Sequence, residues 1–167
     1  MKNILKKLSL ITLMLGLSTG SYAADESMTV SIKRMKMETA LRIAQAAIKA
    51  CRKEGVQIAV TVVDRSGQTQ VVLRDVLAMD ITLPISKQKA HTAMAFNSAL
   101  SAIENRFTKP HQVPKIDGLV MSAGGIPINI GGSILGGIGV SGAPSGEVDE
   151  KCATAGLDAV RDDLEME

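Results

Sequence analysis

The chain has 167 residues, enough for one domain and short of two comfortable ones. Its 19 Lys and Arg stand against 17 Asp and Glu, and a net charge of +2 excludes a strongly basic nucleic-acid binder. Hydrophobic residues make up 46% and aromatics only 2%, so the chain is not disordered, its core is aliphatic, and aromatic stacking platforms for single-stranded nucleic acid or sugars are excluded.

Lys2, Lys6 and Lys7 precede an apolar run over residues 8–17, followed by small and polar residues to Ala23. This is the layout of a bacterial export signal, residues 1–23, with cleavage expected after Ala23. The run is shorter than the roughly 20 residues a membrane span needs. No Cys stands at the junction, so no lipid anchor is expected, and the destination is the periplasm or the outside. Three of the 19 basic residues lie in this segment; the remaining 144 residues carry 16 basic and 17 acidic side chains, a net charge of −1. Every later apolar run is broken by charge or Gly, so no membrane contact is expected once the signal is removed.

Residues 24–36 are a polar lead-in, and the domain is expected over residues 37–167. Glu38, Arg42, Gln45, Lys49 and Arg52 recur every three or four positions, with Leu41, Ala44, Ile48 and Cys51 opposite. That spacing predicts an amphipathic helix over 37–54, stopped by Gly55. Residues 57–64 and 68–74 are β-branched runs joined by Asp64-Arg65-Ser66-Gly67, which predicts a hairpin with Asp64 as a turn residue. Pro84 suits the first turn of a helix expected over 84–105. Its apolar stripe is Ala93, Phe96, Leu100 and Ile103; His91, Ala95, Ser98 and Ala102 lie opposite. Residues 106–116 form a loop holding His111.

Three strands are expected next, over 118–122, 126–130 and 133–141, the last two joined by Gly131-Gly132. Nine of the 15 Gly lie between positions 124 and 146, which demands tight turns or close packing of the backbone. Glu147, Asp149 and Glu150 suit the positive end of a last helix over about 147–164, with Ala153, Leu157, Val160 and Leu164 inward. The order α-β-β-α-β-β-β-α, with hairpin connections, predicts a single α/β (α+β) domain: an antiparallel five-stranded sheet flanked by helices.

Residues 137–142 read G-x-G-x-x-G, but they lie within and after a strand and run into Ala143-Pro144 rather than a helix. The dinucleotide fingerprint lacks its context there. Gly139-Val140-Ser141-Gly142-Ala143 misses G-x-S-x-G by one residue, and no nucleophile–base constellation stands out, so no catalytic residue is assigned. Cys51 and Cys152 have no metal-site spacing and are either one disulfide or two buried thiols. His91 and His111 are the imidazoles available to a metal centre, and Met94 stands one helical turn from His91. Imidazole and thioether are both axial-ligand types for haem iron.

Five segments together resemble the GlcG/HbpS family of haem-binding proteins, to which the C-terminal domain of PduO-type corrinoid adenosyltransferases is related. They are Val62-Val63-Asp64-Arg65-Ser66-Gly67, Lys89-Ala90-His91-Thr92-Ala93, Gly124-Gly125-Ile126-Pro127-Ile128, Ile138-Gly139-Val140-Ser141-Gly142 and Asp149-Glu150-Lys151-Cys152-Ala153. The resemblance covers about residues 37–161. It implies a profilin-like domain, a homo-oligomer, and haem or a corrinoid as ligand. Thr92 matches the family's K-A-x-T-A segment, whereas His91 fills its variable position. Where the family often has an R-M-D-G-A-like segment, this chain has Arg74 followed by Asp75-Val76-Leu77-Ala78-Met79-Asp80, without Gly.

The expectation is an exported haem-binding protein, more binding module than enzyme. Thr92, His91 and Met94 are the expected pocket contacts, with Gly124 and Gly125 as a wall. Two other readings stay open. One is an enzyme or accessory factor for a small 2-hydroxy acid or aldehyde; the other is an oligomeric scaffold without cofactor.

Overall fold

The structure, a computed structural model, describes residues 27–106 and 116–167. The expected export signal lies outside the described residues. The chain divides into two units, Met1–Ser31 and Ile32–Glu167, and the second carries the fold.

Helix α1, Met37–Lys53, buries Ala40, Ile43, Ala44, Ala47, Ile48 and Cys51 along one face, the period expected of an amphipathic helix. Gly55, at φ 74°, ends it, with its N–H on the Arg52 carbonyl. Strands β1, Ala59–Asp64, and β2, Thr69–Arg74, form the predicted hairpin. Asp64 Oδ1 accepts the Ser66 and Gln68 N–H groups at 2.8 and 2.9 Å and so holds the turn. Helix α2, Thr82–Phe96, and a 3-10 turn, Leu100–Ala102, follow. Strands β3, Gly125–Ile130, and β4, Ser133–Ser141, make a second hairpin. Helix α3, Gly146–Glu165, closes the chain, capped by Ser145, whose Oγ accepts the Val148 N–H.

The sheet is antiparallel throughout, in the order β2-β1-β4-β3. Helices α1 and α3 lie side by side on one face and α2 lies on the other. Alternation sorts the side chains. Val60, Val62, Ile138 and Val140 join α1 and α3 in the main core. Thr61 points the other way and shares a buried 2.8 Å hydrogen bond with Ser86 of α2. On that second face β4 presents glycine. A Cβ at Gly137 would stand 2.3 Å from the Ala90 carbonyl oxygen, and one at Gly139 would stand 2.1 Å from that of Ser86. The glycine pattern is therefore a bed for the backbone of α2.

The structure corrects two details of the expected order. The sheet has four strands, not five: residues 118–122 stay outside it. Their neighbourhood finds hydrogen-bond acceptors in distant side chains instead of a ladder. Val120 N–H goes to Thr92 Oγ1, Ala123 N–H to Glu104 and Gly124 N–H to Glu150. The second helix stops at Phe96, not Asn105, because Asn97 takes the left-handed conformation at φ 45° and caps it. The apolar stripe continues past the break: Ala93, Leu100 and Ile103 form a small separate cluster with Phe96 against it.

Cys51 of α1 and Cys152 of α3 are joined as a disulfide, with Cα atoms 5.5 Å apart. Of the two readings open for these cysteines, the structure has the bridge.

Candidate functional site

The β1–β2 turn folds over α2 so that Gly67, at φ 78°, stands against His91 and Met94. A Cβ at Gly67 would lie 2.7 Å from His91 Cδ2 and 3.2 Å from Met94 Cε. The spacing of three residues puts both side chains on one face of α2. Beside them opens a concavity of about 340 Å³, bounded by Gly67, Pro84, Lys87, Gln88, His91 and Gly118. His91 is half-buried at its edge and Lys87 is exposed. The cleft therefore offers an imidazole, a cation and an amide, with Met94 sulfur close by.

The other expected contacts lie elsewhere. Thr92 is fully buried. Its hydroxyl donates to the Gln88 carbonyl at 2.7 Å and accepts the Val120 N–H at 3.0 Å, so it ties α2 to the segment before β3. Gly124 and Gly125 are buried against Lys89, Asp149 and Leu100, and they do not border the His91 cleft. His111 lies outside the described residues. Among the described residues no group of three or more His, Cys, Asp and Glu side chains is placed to hold a metal ion.

The sequence reading missed a buried ion pair. Lys89 Nζ donates to Asp149 Oδ2 at 2.9 Å, with both side chains 5% exposed. Asp149 Oδ1 also accepts the Ala143 N–H at 3.0 Å. Burial pushes the Asp149 carboxyl above the usual carboxylate range, while Lys89 and the backbone N–H groups of Ala143 and Gly142 hold it down. Next to it, Glu150 accepts from Ser101 and from the Gly124 N–H. Both residues sat in quoted motifs, but 60 positions separate Lys89 from Asp149 and no local spacing marks the pair. Together these acids fasten α3 to α2 and to the start of β3. The pair lies beneath Gly124 with almost no exposed surface, which suits a structural tie.

The fold is a small α+β domain with one antiparallel sheet between two helical layers, and His91 edges a cleft on the α2 side. The chain belongs to the HbpS-like family: the model of that family, described as "Haem degrading protein HbpS-like", matches residues 35–158. A double mutant of Streptomyces reticuli HbpS is 36% identical, with a TM-score of 0.76 over 83% of this chain and 94% of that one. The Klebsiella pneumoniae protein ORFY is 25% identical, with a TM-score of 0.73 over 79% of this chain and 94% of that one. A PduOC:heme complex, 23% identical with a TM-score of 0.68 over 76% of this chain and 95% of that one, shares the fold. No curated protein matches the chain. The family resemblance carried by the five motifs is thus shown.

Proposed function

We propose that this protein is an exported haem-binding protein that holds the tetrapyrrole at the His91 cleft and carries out no chemistry of its own. The observation that carries this reading is the half-buried imidazole of His91 at the edge of a concavity, with Met94 one turn away. The donor set fits haem. Imidazole and thioether are iron ligands, and Lys87 is a cation suited to a propionate. Bound haem would supply an iron centre that a protein nitrogen or sulfur can ligate. His91 would hold the iron, Lys87 would pair with a carboxylate of the ring, and Met94 would offer a second soft donor nearby. The same groups would suit a corrinoid. The family description and the haem-bound relative support the ligand class. The Cys51–Cys152 bridge and the leader-like residues 1–23 support an oxidising destination, the periplasm or the outside.

The concavity is smaller than a tetrapyrrole, so one chain would grip an edge of the ring. A homo-oligomer would cover more of it. The loop between β2 and α2 supports such an assembly: Val76, Leu77, Met79 and Ile81 are 82%, 77%, 66% and 53% exposed within six residues.

Hemin titration tests the reading. A saturable, shifted Soret band is expected, lost or moved in His91→Ala. Absence of saturation in the wild-type chain overturns it. The family description also favours a second reading, haem degradation. Holding the loaded protein with ascorbate or peroxide separates the two: a binding role leaves protein-dependent bleaching no faster than for free hemin.

A further inference from the structure

On the opposite face of the sheet from His91, a concavity of about 410 Å³ opens between α1 and β2. Its floor is apolar, from Ile48 and Leu73, and both pack into the main core. Its rim carries Lys49, Arg52 and Arg74, and at its end lies Asp75. Three cations face one carboxylate, and their pairing is incomplete. Among the described residues Lys49 makes no hydrogen bond or ion pair. Arg74 uses Nη1 on the Asp75 and Ala78 carbonyls, which leaves its other nitrogens open. Arg52 places both Nε and Nη2 on Asp75 Oδ1. The other oxygen of Asp75, a residue 4% exposed, is buried with no hydrogen-bond partner among the described residues. An orphaned buried acceptor is uncommon and asks for a donor.

We propose that this cleft is a second binding site, for an α-amino acid with an apolar side chain. Each part of such a zwitterion answers one unmet feature. The carboxylate pairs with Lys49 and the open nitrogens of Arg74. The side chain covers Ile48 and Leu73. The ammonium supplies the donor that Asp75 lacks. Arg52 is the movable piece: its side chain is 63% exposed, whereas that of Asp75 is 3%. It swings from Asp75 Oδ1 to the incoming carboxylate, and the ammonium, with three N–H donors, serves Oδ1 and Oδ2 of Asp75 together. Neither a simple anion nor a simple amine satisfies all three features.

The experiment is calorimetric titration of the whole chain with leucine, 4-methylpentanoate and 3-methylbutylamine. Leucine is expected to bind saturably, and each analogue at least about tenfold more weakly, since each loses one charge-assisted contact. Lys49→Ala is expected to weaken leucine by about tenfold. Because Lys49 is exposed and makes no hydrogen bond or ion pair among the described residues, that variant is expected to fold as the wild type does. Asp75→Asn, which also disturbs Arg52, is expected to bring leucine down to the level of 4-methylpentanoate. No leucine binding overturns the proposal and leaves water as the partner of Asp75. Equal binding of leucine and 4-methylpentanoate overturns it too, as does unchanged binding in Lys49→Ala. Hemin binding at His91 is read separately, so the two sites stand or fall apart.

Discussion

Gly67 and His91 are in contact across two elements: the turn that closes β1 and β2 presses on the imidazole edge, and only hydrogen fits between them. The tip of a hairpin thus sets how far the ring reaches into its cleft. Gly67→Ala meets two costs. The residue is left-handed at φ 78°, which costs a non-glycine roughly 1–2 kcal/mol, and the new methyl pushes the ring aside. The variant is expected to stay folded, with a lower urea midpoint and hemin affinity weakened several-fold. Denaturation and hemin titration on the same sample check both.

Thr92 and His91 are neighbours in sequence with separate roles. Thr92→Val keeps the shape and removes the hydroxyl that accepts the Val120 N–H. An unsatisfied buried donor costs about 1–3 kcal/mol, and stability is expected to fall by that much while the hemin spectrum is unchanged. His91→Ala is expected to do the reverse. Urea unfolding and visible spectra on the two variants separate support from contact.

The Lys89–Asp149 pair gives a pH prediction. Burial raises the Asp149 carboxyl in the folded chain, so the folded state holds that proton more tightly than the unfolded state does. The stability linked to it is fully present below the unfolded carboxylate value and is lost as pH rises through the folded one. Lys89→Met removes the cation that holds the carboxyl down and widens that window upward. Breaking a buried pair costs about 3–5 kcal/mol near neutral pH. The variant is therefore expected to be severely destabilised at about pH 7 and to recover much of the loss near about pH 4, where protonation removes the charge. Urea curves of variant and wild type at the two pH values test it; an equal loss at both contradicts the assignment.

The disulfide closes a loop of 101 positions, which the chain-entropy account values at about 4–5 kcal/mol at most. Cys51→Ala with Cys152→Ala is expected to lower stability by roughly 2–4 kcal/mol. The bridge joins α1 to α3, across the sheet from the His91 cleft, so hemin affinity of the folded variant is expected to match the wild type. Thermal unfolding with and without reductant, followed by titration, checks both.

Gly139→Ala is expected to be the most damaging of the glycine changes in β4. Its Cβ would fall 2.1 Å from the Ser86 carbonyl oxygen and 2.4 Å from the Ala90 nitrogen, both backbone atoms that cannot swing away. Loss of soluble folded protein, read by expression and circular dichroism, is the expected outcome.

Much of this fold was legible because its signals are local. The polar residues of α1 repeat at helical spacing, Gly55 stops the helix, and the β1–β2 turn is written in four consecutive residues. The failures are equally physical. Asn97 interrupts α2 without interrupting its apolar stripe, because the 3-10 turn brings Leu100 back to the same small cluster. Residues 118–122 resemble a strand, but their hydrogen bonding depends on Thr92, Glu104 and Glu150, which no neighbouring residue announces. At the site, His91 and Met94 were readable from one helical turn. Gly67 as their lid, and Lys89 with Asp149, were not, because those contacts join segments far apart in the chain.

The bridge between Cys51 and Cys152 also has a topological consequence. The sheet, α2 and the His91 cleft all lie on the stretch of chain between the two sulfurs. A single peptide cut anywhere between them yields two fragments that stay covalently linked. A protease would therefore have to cut twice within the loop to release any part of the sheet, α2 or the cleft.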